Sequence, residues 1–278
     1  MARNSDDYDV SNKFSLLIQG IHGTGKTTLA AHFPKPYIID CDDNLCGAMR
    51  GLREKGIKFK WDTPLLDSAD NRINVVEGSI DKDGKPIPFT RADGQTQSGL
   101  KSKCRYVRMM ELLSDAFGDP DTETVVLDSC TAVTDMIIDA IKHDYKVPRH
   151  KGMEIQHWQP FIKIWIDIVS LAKSYGKRFI LIGHEEQHED VVNGGTKRML
   201  LLPSKARATI PGMFSDVWEC FVESVGTGKN KKLVHKIRCK SDNTVADLKT
   251  SYHNLPTVFE ADWDEIAKLI QIDGKDKV

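Results

Sequence analysis

One short segment, Gly20-Ile21-His22-Gly23-Thr24-Gly25-Lys26-Thr27, constrains this chain more than any other. It matches the pattern G-x-x-x-x-G-K-[ST] and sits between an apolar run and a helix-like run. Phe14 to Gln19 reads as a short buried strand, and Lys26 to Phe33 as a helix that stops at Pro34. A strand, a glycine-rich turn and a helix start make a cradle for an anion. The glycines let backbone N–H groups turn inward, and the helix start adds about half a positive charge at the same point. Gly20, His22, Gly23, Thr24, Gly25, Lys26, Thr27 and Thr28 are therefore the expected nucleotide-binding residues. Lys26 would reach the β- and γ-phosphates, and the Thr27 hydroxyl would sit on Mg2+. The competing reading is a glycine-rich turn that holds no nucleotide.

The segments that follow keep a β–α–β rhythm and predict an α/β fold with a mostly parallel central sheet flanked by helices. Pro36 to Asp40 is a second apolar run ending in acids, with a helix expected from about Asn44 to Lys55. From 56 to 99 the pattern becomes polar and turn-rich. Ile73–Ile80 and Ile87–Arg91 flank Asp81-Lys82-Asp83-Gly84-Lys85, which reads as a β-hairpin inserted on the core. A helix from about Lys101 to Phe117 leads to the strand Thr124–Ser129, which closes on Asp128. A phosphate loop needs an acid at the end of a neighbouring strand to complete the surroundings of Mg2+, and Asp128 fits that role. Its alternative is a helix N-cap, which needs no metal.

Helices are expected over Ala132–His143 and Ile155–Tyr175, joined by a basic stretch with one aromatic, Tyr145 to Gly152. Arg178–Gly183 reads as a further core strand ending at His184. Val191–Lys197 reads as a hairpin turn with Met199–Leu202 as its return, and Asp216–Val225 with Lys231–Cys239 as a last antiparallel pair. A short helix, about Asp262–Ile272, and a charged tail close the chain. The organisation expected is a flexible segment at 1–12, an α/β core bearing the phosphate loop at 13–252 and a C-terminal helix and tail at 253–278.

Charge and cysteines narrow the classes further. With 39 basic and 40 acidic residues the chain has no overall basic footprint, so contact with nucleic acid would have to come from local patches. Lys197, Arg198, Lys205 and Arg207 form one, and Lys229, Lys231, Lys232, Lys236, Arg238 and Lys240 a second; the plain alternative for each is a solvated face. The six cysteines form no C-x-x-C pair and read as reduced thiols rather than a zinc site. No apolar run approaches the roughly 20 residues that span a bilayer, and the polar, acidic start is unlike a signal peptide, so a cytoplasmic protein is expected.

The phosphate loop, Ile38-Ile39-Asp40-Cys41-Asp42, Val125 to Val133 and Ile180 to Glu185 together resemble the RecA-like recombinase ATPases, over about residues 13 to 225. The likeness is nearest to the short phage and prophage versions of that fold, which serve single-strand annealing recombination in a bacterial host cell. The resemblance implies Mg2+-dependent ATP hydrolysis on single-stranded DNA, self-assembly into a ring or filament, and work beside a single-strand-binding or replication partner. It implies that Asp42 stands where the family carries the glutamate that polarises the attacking water. Asp is one methylene shorter, roughly 1.3 Å less reach; Asp40 and Asp43 compete for the role. It also implies that His184 senses the γ-phosphate, and that two loops line DNA, one with Arg149 and Lys151 and one with Lys197, Arg198 and Lys205. Tyr145 and His150 would stack on bases. A cation supplied in trans would be Lys240 or Lys249. Two other readings remain: a nucleotide-gated interaction module such as a helicase-loading partner, and a small-molecule kinase.

Overall fold

The computed structural model describes residues 14–73, 81–85, 87, 89–90, 96–97, 104–189, 196–226, 231–241, 245 and 247–270. In chain order the elements are β1 (Ser15–Gly20), α1 (Lys26–Ala31), β2 (Pro36–Asp40), α2 (Cys46–Glu54), β3 (Lys60–Asp62), β4 (Phe89–Thr90), β5 (Thr96–Gln97), α3 (Arg105–Gly118), β6 (Thr124–Asp128), α4 (Cys130–Asp144), α5 (Trp158–Ser174), β7 (Arg178–Glu189), β8 (Thr196–Leu200), α6 (Ser204–Thr209), β9 (Asp216–Val225), β10 (Lys232–Arg238), β11 (Val258–Glu260) and α7 (Trp263–Leu269).

The main sheet runs β11-β10-β9-β1-β7-β6-β2-β3, with β8 hydrogen-bonded to β7. From β9 to β3 every pairing is parallel, while β10, β11 and β8 pair antiparallel. This is the expected α/β arrangement, a mostly parallel central sheet with C-terminal antiparallel strands. Parallel strands carry helices on both faces, so their sequences read as unbroken apolar runs. All six residues of β1 are buried. Their side chains alternate: Leu17 joins the core formed with α3, α4 and α5, whereas Leu16 and Ile18 join the one formed with α1, α2 and α7.

The strand order corrects one expectation. Asp128 does not end a strand adjacent to the phosphate-loop strand, because β7 lies between β1 and β6. β7 is also longer than the apolar run Arg178–Gly183, since the polar residues to Glu189 pair with β8 from Glu185↔Leu200 to Glu189↔Thr196. Ladder bonds to a hairpin partner hold residues that hydrophobicity alone would leave in a loop. β3 pairs parallel with β2 from Tyr37↔Lys60 to Ile39↔Asp62, so the main sheet reaches into the segment after 56. Asp81 closes the expected turn: its carboxylate accepts from the backbone N–H groups of Asp83 and Lys85, both at 2.8 Å. Residues 74–80, 91–95 and 191–195, Lys229, the segment 1–13 and the tail after 270 lie outside the described residues.

Local sequence explains the helix limits. α5 carries Pro160 in its first turn, where a missing N–H leaves nothing unpaired. The helix expected from Ile155 begins as a 3-10 turn at Ile155–His157 and becomes α-helical at Trp158. Asp262 caps α7 by accepting from the N–H groups of Asp264 and Glu265.

Gly20 allows β1 to approach β9 closely. A Cβ there would lie 2.3 Å from the Cys220 carbonyl oxygen and 2.9 Å from Thr24 Oγ1, at a φ of +155°. The carbonyl belongs to a paired strand and cannot retreat without opening the β1–β9 ladder. Gly20→Ala is therefore expected to destabilise the fold by about 2–3 kcal/mol. Chemical denaturation reads this directly, and an unchanged midpoint would contradict the close approach.

Candidate functional site

Registers bring the ends of four strands to one side of the sheet: Gly20 pairs with His184, Asp128 with Ile182, and Asp40 with Asp128. Ligands of open α/β sheets bind outside the carboxyl ends of the strands. There, Gly25 at φ +90° turns the chain into α1, a conformation that a residue with a Cβ adopts only under strain. A cleft of about 380 Å3 lies over these ends, lined by His22, Gly23, Thr24, Gly25, Lys26, Thr27, Thr28, Asp42, Asn44, Gly47, Ala48, Asp128, His184 and His235. Thus most of the expected nucleotide residues and all four expected catalytic residues face one space.

Lys26 is 5% exposed, and its amine donates to the carbonyls of Gly20 and Ile21 at 2.9 and 2.8 Å. Burial pulls its pKa below the ordinary lysine value. Thr27 Oγ1 donates to Asp128 Oδ2 at 2.6 Å, across 101 residues of sequence. Burial first, and then the nearby Asp42 and Asp40 charges, push the Asp128 carboxyl up to about 6, against the pull of the Thr27 hydroxyl and Lys26. Mg2+ takes oxygen ligands and keeps several waters. A threonine hydroxyl whose proton already goes to a carboxylate keeps its lone pairs for a cation, so Thr27 and Asp128 fit such an ion. Among the described residues no group of three or more His, Cys, Asp or Glu forms a metal-holding cluster.

The three acids after β2 separate by what they hold. Asp40 accepts from the backbone N–H groups of Asp42, Asn44 and Leu45, so it fixes the turn into α2. Asp43 is paired with Arg72 at 3.0 Å, on the surface. Asp42 lines the cleft, accepts from Ser129 Oγ at 2.8 and 3.0 Å and from Ser129 N–H at 3.2 Å, and lies 3.4 Å from His184 Nε2. Burial alone would raise its pKa; the His184 and Ser129 hydrogen bonds outweigh that and leave the carboxyl below its ordinary value. His22 stacks on His184 with ring centroids 4.1 Å apart and 30° between planes. The adjacent His184, burial and Lys26 lower the His22 pKa. His22, His184, Asp42 and Ser129 thereby form one connected cluster beside the loop.

Three arginines of the basic patches, the expected DNA-facing Arg198 among them, are engaged elsewhere. Arg198 reaches Glu219 at 2.6 Å, and Arg238 reaches the same fully buried carboxylate at 3.1 Å. Arg207 bonds Glu186, His188 Nε2 at 2.7 Å and the Leu202 carbonyl at 3.0 Å. A basic stretch read along the chain hides these carboxylate partners, which the sheet brings in from β7 and β9. Glu185, at the edge of this ion-pair group, is buried, and burial with the nearby Glu219 charge pushes its carboxyl up to about 7. Arg149, His150, Lys151 and Lys205 are exposed, and Lys197 is half-buried. Tyr145, half-exposed, meets His157 edge-on at 4.9 Å.

Neither candidate trans cation lines the cleft of its own chain. Lys240 donates to the Leu255 carbonyl at 2.6 Å, and Lys249 Nζ lies 3.5 Å from the Gly212 carbonyl. All six cysteines are free thiols, five of them buried, and burial pushes Cys130 and Cys220 up to about 12. Asn44 and His235 join the site unannounced by any motif, and Ser129, inside the segment Val125 to Val133, joins it as a partner of Asp42. Their signal is positional, since Ser129 follows the β6 acid directly and His235 comes from an antiparallel partner strand.

The family model for the AAA domain, AAA_24, matches residues 12–251. No curated protein matches the chain. Among solved structures it is similar to a KaiC-like protein from the hyperthermophilic archaeon Pyrococcus horikoshii OT3, at 12% identity over 81% of this chain and 78% of that one, with a TM-score of 0.39. It is also similar to the flagellar accessory protein FlaH from Methanocaldococcus jannaschii, at 9% identity over 81% and 77%, with a TM-score of 0.33. No helix among the described residues is long and apolar enough to cross a membrane. A family match over most of the chain, on a parallel sheet whose strand ends gather around the phosphate loop, places this protein in the AAA-domain family of P-loop ATPases.

Proposed function

We propose that this chain is a Mg2+-dependent ATPase that acts on single-stranded DNA in phage-type recombination, annealing or replication, assembled as a ring or filament. The observation that carries the ATPase part is the 2.6 Å bond between Thr27 and Asp128, with Lys26 buried beside it and Asp42 and His184 on the facing wall. Mg2+, when bound with the nucleotide, would neutralise phosphate charge between Thr27 and Asp128. Lys26 exchanges its two carbonyl contacts for phosphate oxygens. Asp42, kept ionised by its partners, orients water toward the terminal phosphate. His184 ties that carboxylate to β7, so the water-positioning acid and the γ-phosphate sensor move together. Support for DNA comes from exposed Arg149, His150, Lys151 and Lys205 and from the family resemblance, with Arg198 set aside because it is bound to Glu219. Lys240 and Lys249 remain candidates for a cation given to a neighbouring copy.

One observation favours a second reading, the nucleotide-gated interaction module. Asp42 is one methylene shorter than the glutamate of the family, and its oxygens already accept from Ser129 and lie near His184, which leaves less reach and fewer lone pairs for an attacking water. Release of ADP with and without single-stranded DNA separates the two. The ATPase reading expects turnover to rise several-fold with DNA, the rise to weaken steeply with salt, and Arg149→Glu with Lys151→Glu to remove it. ATP binding without DNA-dependent turnover, and no gain from Asp42→Glu, would favour the switch.

A further inference from the structure

A second cavity, of about 450 Å3, opens on the other flank of the phosphate loop. Thr24, Gly25, Thr28 and His235 line both spaces, so the two meet across the loop. The far wall of the second cavity combines His32, just past α1, with Trp263 at the start of α7. Trp263 is half-buried, with its ring centroid 4.8 Å from that of Phe33 and 6.0 Å from that of His32. His32 is itself fixed, its Nδ1 lying 2.7 Å from the Thr28 carbonyl. Lys55 and Asp264 give this aromatic wall a polar edge.

We propose that this cavity receives the nucleoside of the bound nucleoside triphosphate, with Trp263 as the surface on which the base packs. The assignment rests on the nucleotide reading above. Direction follows from the first cleft: Lys26, Thr27, Asp128, Asp42 and His184 gather at one end, so the terminal phosphates belong there. The other end passes Thr28 into the second cavity. A nucleotide divides in the same way, into a hydrated anionic chain and a flat ring with apolar faces, and a half-buried aromatic wall beside an anion cradle suits both parts. Residues after 252, read from sequence as lying outside the core, then complete the nucleotide site within the same chain.

Calorimetric titration of the full chain with ATP and with inorganic tripolyphosphate, each with Mg2+, tests this. Tripolyphosphate has the phosphate chain and lacks the nucleoside. Trp263→Ala is expected to weaken ATP by roughly 5- to 100-fold and to leave tripolyphosphate within about twofold. His32→Ala, which spares the contact between Trp263 and Phe33, is expected to shift the same ratio in the same direction by a smaller factor, and it carries the test should Trp263→Ala not fold. Unchanged ATP affinity in both variants would overturn the assignment, as would equal weakening of both ligands. A wild-type chain that binds neither ligand would instead remove the nucleotide reading itself, a result seen before any variant is made.

Discussion

Lys26→Met is expected to reduce ATP hydrolysis on the order of a thousandfold or more, without unfolding the protein. Lys26 is the only lysine or arginine among the described residues that line the phosphate cleft, so no neighbour can take over its charge. Methionine keeps the apolar stem and removes the ammonium, which burial already disfavours in the free protein. The melting midpoint should therefore hold or rise while turnover collapses. Loss of both together would mean that the lysine acts as a structural tie to Gly20 and Ile21 and not as a phosphate ligand. Steady-state turnover and calorimetric melting, run on the same preparation, distinguish the two.

Asp128→Asn is expected to lower hydrolysis by at least a hundredfold and, in the absence of nucleotide, to stabilise the fold near pH 8. The two effects have one cause. The Asp128 carboxyl is raised to about 6 mainly by burial, so between the ordinary carboxylate range and pH 6 the folded state holds a proton that the unfolded state has released. The stability from that proton is full at low pH and is lost as pH climbs through 6. Asparagine carries no such penalty, which corresponds to on the order of 2 kcal/mol at pH 8. In the wild type the same titration should weaken Mg2+-dependent ATP binding below about pH 6, because the protonated acid no longer offers a negative charge to the cation. Denaturation curves at pH 5 and pH 8 give the sign, and a variant no more stable at pH 8 would contradict the burial argument.

How much of this was legible beforehand depended on the range of each interaction. The phosphate loop was legible because its parts are consecutive, and the strands ending at Asp40 and Asp128, with the inner part of β7 up to His184, because burial on both faces writes long apolar runs. The order of those strands was not legible, so β7 was not expected between β1 and β6. Short edge strands also escaped notice: Lys60-Trp61-Asp62 has no apolar run, and only its ladder with β2 makes it a strand. The basic patch with Arg198 and Arg207 misled for a related reason, since the acids that bind them lie on other elements, Glu219 on β9 and Glu186 on β7. Trp263 carried no signal at all, because an aromatic near the end of a chain reads as packing until the fold sets it beside residue 28.

β7 is a single unbroken strand from Arg178 to Glu189. Its inner half is fastened between β1 and β6, and its outer half pairs with β8. An extended strand hardly changes length, so a displacement of His184 cannot be absorbed along it. Five residues on, roughly 17 Å away, Glu189 would move with whatever His184 touches, the far end of a lever whose pivot is in the sheet and whose short arm lies over the cleft.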